Sequence, residues 1–142
     1  MQIFELFVKG LFKMDWKKLV TAAKKVRLHA HAPYSKFKVG AAVLGDSGKR
    51  YIGCNVENAS FGLTNCAERN AIAAAVANGE KKIRAVAIVA DTNDLTPPCG
   101  ACRQVIYEFG KEAEILLANL KGKQKVFKIT ELLQEPFSFN VK

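Results

Sequence analysis

Apolar and polar residues alternate along the chain in two different rhythms, and the switches between them mark out the elements. Trp16, Leu19, Val20, Ala23 and Val26 recur at helical spacing behind Asp15, a residue suited to capping a helix start, which predicts a helix running to about residue 29. The rhythm then shortens. Residues 36–44 and 50–56 read as two strands joined by the turn Gly45-Asp46-Ser47-Gly48, a hairpin. A second helix begins near Cys66, runs through the Ala-rich stretch 71–77 and stops at Asn78-Gly79. Residues 83–90 are almost wholly apolar, as in a strand covered on both faces, and Pro97-Pro98 leads into a third helix that ends at Gly110. Two shorter strands, 114–118 and 125–129, and a helical turn at 130–133 precede an aromatic tail. The pattern predicts an α/β fold with a mixed sheet between helical layers.

Length and composition narrow the reading. A chain of 142 residues, 49% hydrophobic, suffices for one packed domain without staples. No apolar run approaches the roughly 20 residues of a membrane span. Residues 1–13 stand apart as an N-terminal extension. Phe4, Phe7, Val8 and Leu11 can line one helix face there, and Met14, directly before the Asp15 cap, offers a later start, leaving 14–142 as the single domain. Glu5 and Lys9 interrupt the extension and no small-residue cleavage site follows, so it does not read as a secretory leader; the expected compartment is cytoplasmic. The formal charge of +9 permits nucleic acid as a partner. Its lysines, however, fall in scattered pairs such as Lys17-Lys18 and Lys81-Lys82, without interleaved aromatics, and read as solvated surface.

In a reduced compartment, four cysteines point to metal or core positions rather than disulfides. Cys99-Gly-Ala-Cys102 places two sulfurs one helical turn apart at a predicted helix start, a spacing shared by redox pairs and metal sites. Cys66, at another predicted helix start, supplies a third thiol, and three thiolates suit tetrahedral zinc. Cys54 would close such a site into a structural four-cysteine centre. Strand alternation turns it away from the face carrying Asn55 and Glu57, so it reads as a small buried hydrophobe. His29 and His31 read as surface residues.

Four ordered motifs carry a family resemblance: Ala-Pro-Tyr-Ser-x-Phe-x-Val-Gly-Ala at 32–41, Gly-x-Asn-Val-Glu-Asn-Ala-Ser at 53–60, Cys-Ala-Glu-Arg at 66–69 and Pro-Cys-Gly-x-Cys-Arg-Gln at 98–104. Together they resemble the small cytidine deaminases, whose zinc signature is a ligand-x-Glu followed by Pro-Cys-x-x-Cys. The resemblance implies a three-layer α-β-α sandwich around a five-stranded mixed sheet, and one Zn2+ per subunit held by Cys66, Cys99 and Cys102. It implies hydrolysis of cytidine and deoxycytidine to uridine and deoxyuridine plus ammonia, in pyrimidine salvage. Activated water would attack C4 while Glu68 shuttles protons. By the same resemblance Phe37 packs on the base, Asn55 and Glu57 hold the sugar hydroxyls, and the Ala67 backbone meets the base's polar edge. Arg69 and Arg103, each beside a ligand motif, are the candidates to offset the charge of three thiolates, and the resemblance favours Arg69. Phe137 reaches a neighbouring subunit's site and Phe61 lies at a subunit contact in a homotetramer, although Gln134 departs from the proline usual in the closing segment. The competing readings are an RNA cytidine editor or nucleic-acid binder, and a structural zinc module using all four cysteines.

Overall fold

The structure, a computed structural model, describes residues 14–140, so the reading of residues 1–13 as an extension lies outside the described residues. Helix α1 (Trp16–Arg27) starts as expected, with Asp15 accepting a hydrogen bond from the Lys18 N–H at 3.1 Å. A hairpin follows, β1 (Val39–Gly45) and β2 (Arg50–Cys54), then a 3-10 turn (Phe61–Leu63), α2 (Ala67–Ala77), β3 (Ile83–Ala90), α3 (Gly100–Phe109), β4 (Glu114–Asn119), β5 (Gln124–Lys128) and a single turn, α4 (Ile129–Leu132). The strands form one sheet in the order β2-β1-β3-β4-β5, antiparallel except for the β3–β4 pair, around which α3 makes the crossover.

Alternation along the central strands sorts their side chains between two cores. Ala42, Ala85, Ala87, Val89, Leu116 and Ala118 meet Leu19 and Ala23 of α1 on one face. Ala41, Val43, Val86, Ile88, Ile115 and Leu117 meet Ala71, Ile72 and Ala75 of α2, Ile106 of α3 and Ile129 of α4 on the other. This is the three-layer α-β-α sandwich with a five-stranded mixed sheet. Small residues set its thickness. A Cβ on Gly40 would stand 2.0 Å from the Ala23 carbonyl oxygen of α1, and one on Gly53 would stand 2.4 Å from the Ala71 nitrogen and 2.6 Å from the Ala67 oxygen of α2. Both helices therefore lie with their backbones against the sheet.

Two expected strands are shorter than the pattern suggests: β2 ends at Cys54, with Val56 only in isolated bridges to His31 and Asn65, and β1 begins at Val39. Residues 36–38 do not join β1, because Lys36 adopts a left-handed conformation (φ 60°) that breaks the extended path. The side chain of Asn55 then takes over the local backbone bonding, donating to the Phe37 carbonyl at 2.7 Å and accepting from the Val39 N–H at 2.8 Å.

Gly53→Ala forces a methyl group into the backbone of α2, which cannot yield as a flexible side chain would. The expected loss is about 2–3 kcal/mol of folding stability, and looser metal retention as α2 lifts. Chemical denaturation of the purified protein checks this, and an unchanged midpoint would refute it.

Candidate active site

Two helix N-termini converge at one end of the α2–α3 layer, and the chemistry-bearing residues sit on them. Cys66 is the N-cap residue of α2 and Cys99 that of α3, and neither sulfur serves as a cap acceptor. Cys102 lies in the first turn of α3. The three Sγ atoms lie within 4.8 Å of one another, and those of Cys66 and Cys99 are 3.8 Å apart. A tetrahedral zinc with Zn–S bonds of about 2.3 Å separates its sulfurs by roughly that same 3.8 Å.

The electrostatics match a cation. Arg69, one turn into α2, donates from Nη2 to the Cys66 Sγ at 3.5 Å and to the Thr64 carbonyl at 3.3 Å, while its buried Nε has no partner among the described residues. Hydrogen bonds from Cys102, Arg69 and Cys99 bring the Cys66 thiol down to about 5, although burial opposes them. Cys102 moves the other way, its proton held by the bond to Cys66 and by burial. Thiols this close shed their protons together only when a positive ion shares the charge, and the positive ends of two helix dipoles favour the same ionised state. The donor set fits zinc.

Glu68 is 5% exposed, beside Cys66 in the first turn of α2. Desolvation raises its carboxyl to about 7, and the Cys66 sulfur adds to the effect. Such a group takes up and releases a proton near neutral pH. Ala67, the first residue of α2, is buried, and an N–H at that position has no partner within its own helix.

Asn55 and Glu57 leave β2 and turn toward residues 34–39. Besides the Asn55 contacts above, Glu57 Oε1 accepts the N–H groups of Tyr34 and Ser35 at 3.0 and 3.1 Å, and Oε2 accepts the Ser35 hydroxyl. These bonds, the Ser35 hydroxyl foremost, hold the Glu57 carboxyl below its usual range. The pair expected to hold a sugar thus also fixes the loop that presents Phe37, whose ring is partly exposed. Sequence reasoning gave Ser35 no role; its only signal was its place between Tyr34 and Phe37 in the first motif.

The two arginines separate cleanly. Arg69 faces sulfur, whereas Arg103 donates to the Pro98 carbonyl at 2.8 Å and the Leu132 carbonyl at 2.6 Å, tying α4 to the start of α3. Cys54 is not among the clustered sulfurs, but it is half-buried rather than enclosed, because β2 is an edge strand. His29 and His31 are exposed, as expected. Phe61, stacked edge-on against Tyr34 at 5.6 Å, is 73% exposed. Phe137 is 70% exposed, with its carbonyl accepting from Gln104 Nε2 at 2.9 Å. A groove of about 730 Å3 lined by Asp46, Lys82, Arg84, Glu108 and Lys111 lies at the C-terminal end of α3, away from this chemistry.

Comparisons with known proteins agree with the geometry. Residues 14–118 match the family described as the cytidine and deoxycytidylate deaminase zinc-binding region. A cytidine deaminase of Sporosarcina psychrophila is 48% identical over 126 residues, covering 88% of this chain and 93% of that protein. One from Halalkalibacterium halodurans is 45% identical, covering 88% and 96%. The crystal structure of cytidine deaminase from Burkholderia pseudomallei superposes with a TM-score of 0.84 at 48% identity, covering 87% of this chain and all of that one. That from Mycobacterium tuberculosis gives 0.78 at 37% identity, covering 89% and 100%. The three-sulfur cluster fits one zinc per chain.

Metal analysis of two variants distinguishes an open site from a closed one. Cys54→Ser should retain about one zinc per chain and Cys66→Ala should lose it; loss in Cys54→Ser would mean a fourth sulfur ligand.

Proposed function

Because the chain belongs to the cytidine and deoxycytidylate deaminase family, we propose that it deaminates the free nucleosides cytidine and deoxycytidine to uridine and deoxyuridine, with release of ammonia, in pyrimidine salvage. The observation that carries this reading is a buried carboxyl, Glu68, set beside a three-sulfur cluster on converging helix starts. Cys66, Cys99 and Cys102 would hold the zinc, which would supply the Lewis acidity that makes water a nucleophile at neutral pH.

The remaining steps fall to the chain's own residues. Glu68 takes a proton from the attacking water, delivers it to ring N3 of the pyrimidine, and later assists protonation of the amine that leaves C4. Its raised affinity for a proton, caused by burial, suits a group that must both accept and donate. Arg69 offsets the negative charge of the thiolates. The Ala67 N–H meets the polar edge of the base and Phe37 packs on its face.

Glu57 accepts a hydrogen bond from a sugar hydroxyl, and Asn55 supports it. An ionised carboxylate there repels a nearby phosphate, which favours nucleosides over nucleotides and over polynucleotides. We further propose a homotetramer in which Phe137 reaches a neighbouring copy's site and Phe61 lies at a subunit contact; their exposure in the single chain supports this.

Glu68→Gln keeps the shape of the side chain and removes its proton chemistry. Its kcat on cytidine, followed as loss of ultraviolet absorbance, should fall about 10²–10⁴-fold with zinc content unchanged. Undiminished turnover would remove Glu68 from the reaction.

A further inference from the structure

Ser35 sits where the sugar-facing carboxylate and the base-facing ring are joined. Its Oγ donates to Glu57 Oε2 and accepts from the Phe37 N–H at 3.0 Å. The Phe37 carbonyl in turn accepts from Asn55 Nδ2. A circuit therefore runs Glu57–Ser35–Phe37–Asn55, spanning the left-handed turn at Lys36.

Counting hydrogen-bond capacity shows what this circuit leaves over. A carboxylate offers about four acceptor positions, and on Glu57 three are taken: two N–H groups on Oε1 and the Ser35 hydroxyl on Oε2. The Asn55 amide has one N–H on the Phe37 carbonyl and one lone pair on the Val39 N–H, so one donor and one acceptor position remain. One spare acceptor on Glu57 and one spare donor on Asn55 match a hydroxyl, which both donates and accepts. The spare acceptor lies on Oε2, the oxygen whose direction Ser35 controls. Without the Ser35 hydroxyl, Oε1 stays anchored by backbone, while Oε2 loses its only protein partner among the described contacts.

We propose that Ser35 is a positioning residue for the sugar subsite, its hydroxyl orienting Glu57 Oε2 toward a furanose hydroxyl of the nucleoside. This rests on the reading of Glu57 as the sugar acceptor. A purely structural Ser35 would affect all ligands alike; a positioning Ser35 discriminates between a nucleoside that carries ring hydroxyls and one that lacks them.

The test uses the full-length zinc enzyme as wild type, Ser35→Ala and Ser35→Thr. Cytidine is the substrate, and 2′,3′-dideoxycytidine is the competitive inhibitor, so its binding is read whether or not it turns over. Ser35→Ala should raise KM for cytidine roughly tenfold, the effect of one charge-assisted hydrogen bond, with kcat within about twofold. The inhibition constant of the dideoxynucleoside should move by no more than about twofold, because Phe37 keeps its Asn55 anchor. Ser35→Thr, which retains a hydroxyl, should restore KM. Equal weakening of both ligands, or of neither, overturns the inference while leaving the Glu57 reading intact. A wild-type enzyme that binds dideoxycytidine as tightly as cytidine overturns the Glu57 reading, and this inference with it.

Discussion

Three thiols held within 4.8 Å of one another create a charge problem that the rest of the molecule is arranged around. Each sulfur must ionise to bind a metal, and each ionisation makes the next harder unless positive charge is near. The fold supplies it from three groups, the N-termini of two helices and the Arg69 guanidinium on the Cys66 sulfur, and the cluster fits a divalent ion that would supply the rest. Zinc with three thiolates would still carry a net negative charge, which a guanidinium beside the Cys66 sulfur is placed to offset. Glu68 gains from the same placement. The desolvation that raises its proton affinity is a consequence of lying in the first turn of a helix pressed onto the sheet.

Much of this was legible in the chain because it depends on local periodicity. The near-continuous apolar runs at 83–90 and 114–118 mark strands covered by helices on both faces, and those strands form where the runs predict. The spacing of Cys99 and Cys102 at a helix start, and of Cys66 to Glu68 at another, depends only on helix geometry, and the structure brings the three sulfurs together.

What could not be read depends on residues distant in sequence. The path of residues 32–38 is dictated by Asn55 and Glu57, some twenty positions later, so the apolar pattern alone extended β1 too far. The resemblance favoured Arg69 for the sulfurs, but what Arg103 does instead was hidden. Both adjoin a cysteine motif, and only the tertiary fold brings the Leu132 carbonyl to Arg103. The partial exposure of Cys54 follows from β2 being an edge strand, a property of sheet order that no short window contains.

The seam between α2 and the sheet, made of Gly53, Ala67, Ala71 and Ala75, has a consequence for how the site tolerates change. These residues act as shims: their bulk fixes the height at which α2 rides, and hence where one sulfur sits relative to the two carried by α3. Because the donors straddle separate helices, a shim thickened by a single methyl group tilts one jaw of a vice against the other. Added bulk at Gly53, Ala71 or Ala75 therefore disturbs coordination geometry from positions that hold no ligand atom.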